Sequence, residues 1–234
     1  MNAMPSEEST PLIAARPMLA DQVFDAILML LLDDKLPTGS QLGIDGLAKK
    51  FQVSSTPVRE ALARLEATGM VRREALRGYR VAPEPTADDI QKLHVARSML
   101  EPGIAALACA HQDDGLISKL EACNSELNAA RGGQAFADYR AYWKADELFH
   151  RTIVEAADNE FLNRAYSSIE GHIQRFRLVV QNVMSGEHTI EEHAKIIEAF
   201  RSDDPSAAQE AMQAHISGIA QRAEHSFASQ QNPE

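Results

Sequence analysis

The sequence predicts a mainly α-helical protein: a small N-terminal unit of three helices and two short strands, followed by an antiparallel all-α bundle of about six helices. Apolar residues recur at three- and four-residue intervals along most of the chain, which is the helical period. Alternating, strand-like runs occur only within the first 85 residues. Charge separates the same two parts, because residues 45–85 carry eight basic and five acidic side chains, whereas residues 86–234 carry 13 basic and 23 acidic ones.

Composition narrows the class of protein. The chain has 234 residues, of which 44% are hydrophobic and 24% charged, as in ordinary globular proteins. Its net charge of −11 excludes a uniformly basic nucleic-acid coat but leaves room for a local basic surface. No segment approaches the roughly 18 apolar residues of a membrane span, and the polar N-terminus lacks the pattern of a signal peptide. We therefore predict a cytoplasmic protein without a membrane partner, in which Cys109 and Cys123 are reduced core residues.

The order of elements in the first 85 residues is that of a winged helix-turn-helix. In the third helix, Thr56 is the predicted N-cap, Pro57 suits the first helical position, and Gly69 marks the end. Two short strands then surround the dipeptide Arg77-Gly78. The predicted helices and strands lie at about 18–34, 44–51, 56–69, 71–73 and 79–81.

Two short helices joined by about four residues can place the second helix in the major groove of DNA. Hydroxyl groups at its N-terminus can bind phosphate, and an arginine one turn further can reach a guanine edge. The alternative is a three-helix unit whose arginines are only solvated. The candidate DNA-binding residues are Ser54, Ser55, Thr56, Arg59, Arg77 and Gly78.

The run LAKKFQVSSTPVREAL over 47–62, with the later segments RLE, GMV, RGY and VAP, resembles the GntR family of bacterial transcription regulators. The resemblance covers about residues 18–83 and implies a DNA-binding unit. Ser55 stands where the family usually has arginine, and Asp45 where a basic contact is common, which implies an operator sequence different from the usual one. The family's other contact positions fall on Ser54, Thr56, Arg59, Arg77 and Gly78.

The rest of the chain predicts only helices. Thr86 is a candidate N-cap with Asp89 three residues on, after a short linker at 84–89. Short connections predict antiparallel neighbours. The six predicted helices lie at 87–111, 113–131, 134–156, 159–184, 187–201 and 205–226. The predicted organisation of the whole chain is a flexible segment at 1–17, a DNA-binding domain at 18–83, the linker at 84–89, a helical domain at 90–226 and a flexible tail at 227–234.

Four residues of the bundle form a candidate metal site. Asp146 and His150 are four residues apart and share a helix face. His193 lies about 12 Å before the turn at 202–205 and His215 about 15 Å after it, so an antiparallel hairpin brings them to one level. One carboxylate and three imidazoles suit Zn²⁺ or Ni²⁺. A chance Asp/His pair is the plain alternative, and a di-iron site is disfavoured because the required Glu-x-x-His pattern occurs only once.

This half of the chain resembles the FCD ligand domain, which accompanies such DNA-binding units in the FadR-type branch of the family. The segments that carry the resemblance are RSMLEP, the stretch 146–150, AADNEFL, EH at 192–193 and MQAH. The number of predicted helices is similar to that of the VanR-like subgroup. The resemblance covers about residues 88–222. It implies a divalent metal at Asp146, His150, His193 and His215, and an organic-acid or sugar-acid effector. Arg97 and Arg175 are the implied effector-binding residues; the alternatives are a salt bridge from Arg97 to Glu101 and a solvated helix face for Arg175.

These features predict a homodimeric repressor that reads a two-fold symmetric operator and whose operator affinity is controlled by a small carboxylate bound near the metal. Two alternatives remain open at this point. One is a metal-dependent hydrolase built on the Asp/His₃ site. The other is a regulator in which the metal is purely structural and no small molecule binds.

Overall fold

The computed structural model describes residues 19–32, 35–75, 77–130, 136–179 and 186–231. Within these ranges the chain forms nine helices and one three-stranded sheet, so the predicted class, a winged helix-turn-helix followed by an all-α bundle, is confirmed. The predicted flexible N-terminus at 1–17 and the last three residues of the predicted tail lie outside the described residues. No helix in the described ranges is long and apolar enough to cross a membrane.

Residues 19–81, called the head below, fold around one apolar core. Val23 and Ile27 of the first helix pack against Val58, Leu62 and Leu65 of the third. These residues recur at three- and four-residue intervals, so each helix turns one apolar face inwards. The elements of the head are α1 (Leu19–Leu32), β1 (Gln41–Leu42), α2 (Ile44–Phe51), α3 (Ser55–Ala67), β2 (Val71–Glu74) and β3 (Gly78–Val81), with antiparallel strands in the order β1-β3-β2.

Two details of the head differ from the sequence prediction. The short strand β1, which pairs Leu42 with Tyr79, was not predicted because two residues cannot show an alternating pattern. Helix α3 begins at Ser55 after the cap position Ser54, not after Thr56. Pro57 therefore stands at the third helical position, which it tolerates because no N–H of the first turn has a partner within the helix.

The bundle contains six helices in the described residues, as predicted: α4 (Ala87–Ala110), α5 (Leu116–Ala129), α6 (Phe136–Ala156), α7 (Glu160–Val179), α8 (Gly186–Arg201) and α9 (Pro205–Gln231). Its main core is formed by large apolar side chains such as Phe149, Tyr166 and Phe200. Cys109 and Cys123 are free and buried in this core, as predicted. Helix α9 runs five residues beyond its predicted end at 226. Residues 131, 134–135 and 180–184 of the predicted bundle helices lie outside the described ranges.

Side-chain caps set the starts of two bundle helices. The Thr86 hydroxyl accepts a hydrogen bond from the Asp89 backbone N–H, and the Asp89 carboxylate accepts one from the Thr86 N–H. This reciprocal pair is the predicted capping box. The Asn159 side chain accepts hydrogen bonds from the N–H groups of Phe161 and Leu162. Both caps replace partners that the first turn of a helix cannot find within itself.

Helix α7 is the surface of the bundle on which the head docks. A Cβ built on Gly171 would lie 2.5 Å from the Thr68 Cα, so only glycine permits this approach of two backbones. On the head side, Gly69 has a φ of +70°, and a Cβ there would lie 3.0 Å from the His172 ring. Arg175 donates a hydrogen bond to the Pro83 carbonyl just beyond the head. Backbone contact and a side-chain bond thus join α7 to the end of α3 and to the linker.

Candidate functional site

The predicted DNA-binding residues of α3 lie at an exposed helix N-terminus. Ser54, Thr56 and Arg59 are exposed and Ser55 is half-buried, while Pro57 behind them is part of the buried side. Arg59 forms no hydrogen bond or ion pair with any described residue. Its exposed guanidinium has the geometry to bind a base edge or a phosphate.

The hairpin of β2 and β3, called the wing below, presents a second basic surface. Arg77 and Gly78 are exposed at the start of β3, and Gly78 has a φ of +78°, which favours glycine. Arg80 has an internal role instead, because its guanidinium binds the Glu74 carboxylate and the Gly39 carbonyl. The hydrogen bond from Arg80 lowers the pKa of the Glu74 carboxyl, with further contributions from neighbouring arginines. The structure thus places Ser54, Ser55, Thr56, Arg59, Arg77 and Gly78 on accessible parts of the head.

Three of the four predicted metal ligands meet inside the bundle. One ring nitrogen each of His150, His193 and His215 can be chosen so that all three lie within 4.8 Å of one another. The Nε2 atoms of His150 and His215 are 3.2 Å apart. All three side chains are at most 1% exposed. The prediction that His193 and His215 reach one level is met, since their ring centroids are 4.8 Å apart.

Asp146, the fourth predicted ligand, lies beside this cluster. Its Oδ1 is 3.4 Å from the Nε2 of His193, and the residue is 2% exposed. Burial lowers the pKa of His215 overall, while the hydrogen bond to Glu192 and, more weakly, the Asp146 carboxylate raise it. The ring of Phe149 stacks on His193 with centroids 3.8 Å apart and planes within 6°. This stacking sets the plane of the His193 ring.

His215 is held from outside the cluster by a carboxylate of α8. Its Nδ1 donates to Glu192 Oε2 at 2.9 Å. Arg222 of α9 donates to both oxygens of the same carboxylate, at 2.6 and 2.8 Å. Burial raises the pKa of Glu192, but the bonds from Arg222 and His215 outweigh it and bring the pKa to about 2. The carboxylate is therefore ionised and acts only as an acceptor.

Arg97 lies next to the cluster and is engaged with Glu101. Its Nε donates to Glu101 Oε1 at 2.6 Å, and both side chains are almost fully buried. Glu101 Oε2 also lies 2.7 Å from the Nδ1 of His150, off the line of the ring N–H. Burial raises the pKa of Glu101, and the opposing effects of Arg97 and His150 leave it below its usual range. The predicted salt bridge of Arg97 is present, and it connects this arginine to the histidines.

Arg175, the second predicted effector-binding residue, is placed elsewhere. Its guanidinium contacts the Pro83 carbonyl at the junction of head and bundle, and the nearby charges that act on it are those of Asp89 and Glu84. The structure therefore brings Arg97 and the histidines together but does not bring Arg175 to them. Arg175 also does not lie on a solvated helix face, the alternative considered for it, because it is half-buried at this junction.

Two residues that orient the cluster, Glu192 and Arg222, are not predicted as site residues from the sequence. Glu192 directly precedes His193, but Arg222 is 30 residues away from Glu192 along the chain, so no local pattern links the two. His94 of α4 is a further buried histidine outside the cluster. It is 6% exposed, and neither ring nitrogen has a hydrogen-bond partner among the described residues. Its ring lies edge-on to Phe176 at 5.0 Å.

Comparison with known families accounts for both parts of the chain. Residues 19–81 match the model described as bacterial regulatory proteins, gntR family, and residues 92–218 match the FCD domain. The chain belongs to the GntR family of transcription regulators and carries an FCD domain. These proteins are regulators and not enzymes, which removes the hydrolase interpretation of the histidine cluster.

Individual relatives agree with this assignment. The "Probable D-xylose utilization operon transcriptional repressor" of Paenarthrobacter nicotinovorans is 28% identical, over 90% of this chain and 91% of that protein. The transcriptional regulator LutR of Bacillus subtilis (strain 168) is 26% identical, over 79% and 92%. Among solved structures, E. coli McbR/YncC has a TM-score of 0.71 at 17% identity, over 90% of this chain and 99% of that one. At this identity the structural match shows the fold alone.

Proposed function

We propose that this regulator is a repressor whose operator affinity is controlled by a small carboxylate bound near a divalent metal ion in the FCD domain. The observation that carries the proposal is the convergence of three buried imidazoles at one point of the bundle. The exposed arginines and hydroxyls of the head supply the DNA-binding surface. The similarity to a protein named as an operon repressor supports repression over activation.

The donor set fits a late first-row divalent ion. Because Glu192 is an acceptor only, the Nδ1 of His215 carries the proton and its Nε2 presents a lone pair. That lone pair faces the Nε2 of His150 at 3.2 Å. Two nitrogens that bind one ion at about 2.0–2.1 Å in tetrahedral geometry lie about 3.3–3.4 Å apart. We therefore assign His150, His193, His215 and the adjacent Asp146 as ligands for Zn²⁺ or Ni²⁺.

The effector is a small organic or sugar acid. A metal ion with an open position attracts a carboxylate oxygen, and Arg97 adds a buried positive charge next to the histidines. Glu101 neutralises this charge in the structure. A carboxylate that binds here competes with Glu101 for the guanidinium, so effector binding disturbs a contact of α4 with the His150 side chain.

Helix α7 connects the effector site to the head, because it lies close to Arg97 and also contacts the end of α3. Burial lowers the pKa of Arg97, whereas Glu101 and, more weakly, Tyr166 in the first half of α7 raise it. Gly171, in the middle of the same helix, touches Thr68 at the end of the recognition helix α3. A shift of α7 therefore moves the head. A coupling of about 1–3 kcal/mol between the sites changes operator affinity roughly 5- to 150-fold.

The operator-binding unit is a homodimer in this proposal, because one recognition helix reads one half-site and a two-fold symmetric operator needs two. Light scattering on the full chain at operator-saturating concentration tests this directly. We expect the mass of a dimer, bound to one operator duplex. A monomer that saturates the operator would contradict the symmetric arrangement.

The metal and the effector are tested by thermal unfolding with small carboxylates, with and without EDTA. A ligand at 100 times its dissociation constant adds about 2.7 kcal/mol to the free energy of unfolding. We expect a shift with a few related acids that EDTA abolishes. His193→Ala should behave like EDTA treatment, whereas His188→Ala, an exposed histidine of the same helix, should not.

Operator binding separates effector control from a purely structural metal. Fluorescence anisotropy with a duplex selected from a random pool should show weaker binding when the stabilising acid is added. If EDTA lowers the melting temperature but no acid changes either stability or operator affinity, the metal is structural. If neither EDTA nor any acid has an effect, the histidines are ordinary bundle residues and the proposal is wrong.

A further inference from the structure

We propose that Glu192 is the residue that positions His215 for metal binding. Its carboxylate is held by Arg222 and lies against Gly218 of α9. The inference rests on the metal site of the proposed function, but it concerns a carboxylate that no comparison identifies. Glu192 is not itself a ligand, because its Oε2 contacts the Nδ1 of His215, on the side of the ring away from the other histidines. It acts through the imidazole.

The first argument is the hydrogen-bond chemistry of the ring. A neutral imidazole has one donor nitrogen and one acceptor nitrogen, and the partner of one determines the role of the other. The Glu192 carboxylate accepts from Nδ1 at 2.9 Å and so keeps the lone pair on Nε2. Nε2 is the atom that faces His150 at 3.2 Å. Carboxylates that bind the outer nitrogen of a ligating histidine fix both its tautomer and its orientation.

The second argument is that the carboxylate itself is held. Arg222 binds Oε1 at 2.6 Å and Oε2 at 2.8 Å, so both carboxylate oxygens are fixed by one planar guanidinium. Glu192 lies on α8 and Arg222 on α9, the two helices that carry His193 and His215. The pair therefore sets the spacing of the two helices at the level of the cluster.

The third argument is the space that Gly218 leaves beside the Glu192 carboxylate. A Cβ on this residue of α9 would lie 2.5 Å from Glu192 Oε1 and 3.0 Å from the Arg222 guanidinium. Glycine in a helix interior is less favourable than alanine. The missing side chain gives the carboxylate room to approach α9 and reach the His215 ring. Gly218 is thus part of the same arrangement.

The test uses the full chain and two variants that disturb the carboxylate in different ways. Glu192→Gln keeps the volume but removes the charge, and Gly218→Ala displaces the carboxylate without changing it. Glu198→Gln is the matched control, because Glu198 is an exposed residue of the same helix. Zn²⁺ affinity is measured by competition with a chelating indicator. We expect 10- to 100-fold weaker binding for E192Q and a clear loss for G218A, with E198Q unchanged.

A second readout does not depend on the metal. NMR of ¹⁵N-histidine-labelled, metal-free protein reports which ring nitrogen of His215 carries the proton. We expect the Nδ1–H form in the wild type and in E198Q, and a mixture of forms in E192Q. Wild-type Zn²⁺ affinity in E192Q, or an Nε2–H form of His215 with Glu192 intact, would overturn the inference. If the wild type bound no metal, the proposed metal site would fall while the tautomer measurement still decided the role of Glu192.

Discussion

Gly171 and Thr68 bring the bundle and the head into backbone contact: a Cβ on Gly171 would stand 2.5 Å from the Thr68 Cα. No side chain can relieve that distance by changing rotamer, because the atom it meets belongs to the main chain. The position of the head on α7 is therefore set by the absence of one methyl group.

Gly171→Ala is expected to weaken this docking by about 1–3 kcal/mol, the usual cost of overpacking a tight contact. Hydrogen exchange should become faster around Thr68 and in the middle of α7, and the melting temperature should fall. Gly103→Ala is the matched control, because a Cβ on this glycine of α4 meets nothing within 4 Å. The control should gain roughly 0.5–1 kcal/mol. Equal behaviour of the two variants would show that the close contact does not hold the head.

Arg59→Ala should reduce operator affinity by about 1–3 kcal/mol, the value of one bidentate base contact. Arg59 has no partner among the described residues, so its removal leaves the fold intact. Anisotropy titrations at fixed salt measure the loss. Arg164→Ala removes an equally charged, exposed side chain from α7 and should leave the affinity unchanged. An unaltered affinity in R59A would exclude this residue from the interface.

Arg97→Ala should lower the free energy of unfolding of metal-free protein by about 3–5 kcal/mol, because it leaves the buried Glu101 carboxylate without its main partner. The double variant Arg97→Met with Glu101→Leu should recover most of this loss, since it removes both charges together. Urea unfolding measures both changes. If the double variant were as unstable as R97A, the loss would come from packing and not from the unpaired charge.

The buried His94 should make the free energy of unfolding fall at acidic pH. Burial lowers its pKa to about 4, from an ordinary value of 6.5, because the charged form cannot be solvated. The unfolded chain binds this proton first, so the contribution of neutral His94 is fully present above pH 6.5 and is lost as the pH falls towards 4. The expected loss is about 3 kcal/mol.

The His94 effect is measured by urea unfolding at pH 7, 5.5 and 4.5 in EDTA. His94→Leu should show a smaller loss of stability than the wild type across this range, whereas His188→Leu, at an exposed position, should follow the wild type. Parallel curves for the wild type and H94L would mean that His94 titrates normally in the folded protein.

Local patterns predicted the fold well where the signal lies within a few residues. Helical periodicity predicted each of the nine helices found in the described ranges, and the Thr86–Asp89 capping box follows from a three-residue spacing. The meeting of His193 and His215 followed from counting residues on either side of one turn. In each case geometry within one helix or one hairpin is fixed by the backbone.

Features that depend on packing between distant helices could not be predicted in the same way. Arg222 reaches Glu192 only after α8 and α9 have paired, and Gly171 is special only because Thr68 arrives there from the head. Nothing in the local sequence marks either contact. The placement of Arg175 at the linker and of Arg97 against Glu101 likewise depends on which faces of α4 and α7 turn inwards.

Helix α4 starts at the linker and carries Arg97 and Glu101 near its middle, with Pro102 within the helix beside them. From Thr86 to Pro102 the helix spans about 24 Å. Because the helix is long, a small tilt moves its end by a large distance. A tilt of about 5° around Pro102 displaces the linker end by about 2 Å, which is about the length of a metal–ligand bond. In the proposed mechanism, a tilt too small to alter the core already displaces the linker end by more than a hydrogen bond to DNA can tolerate.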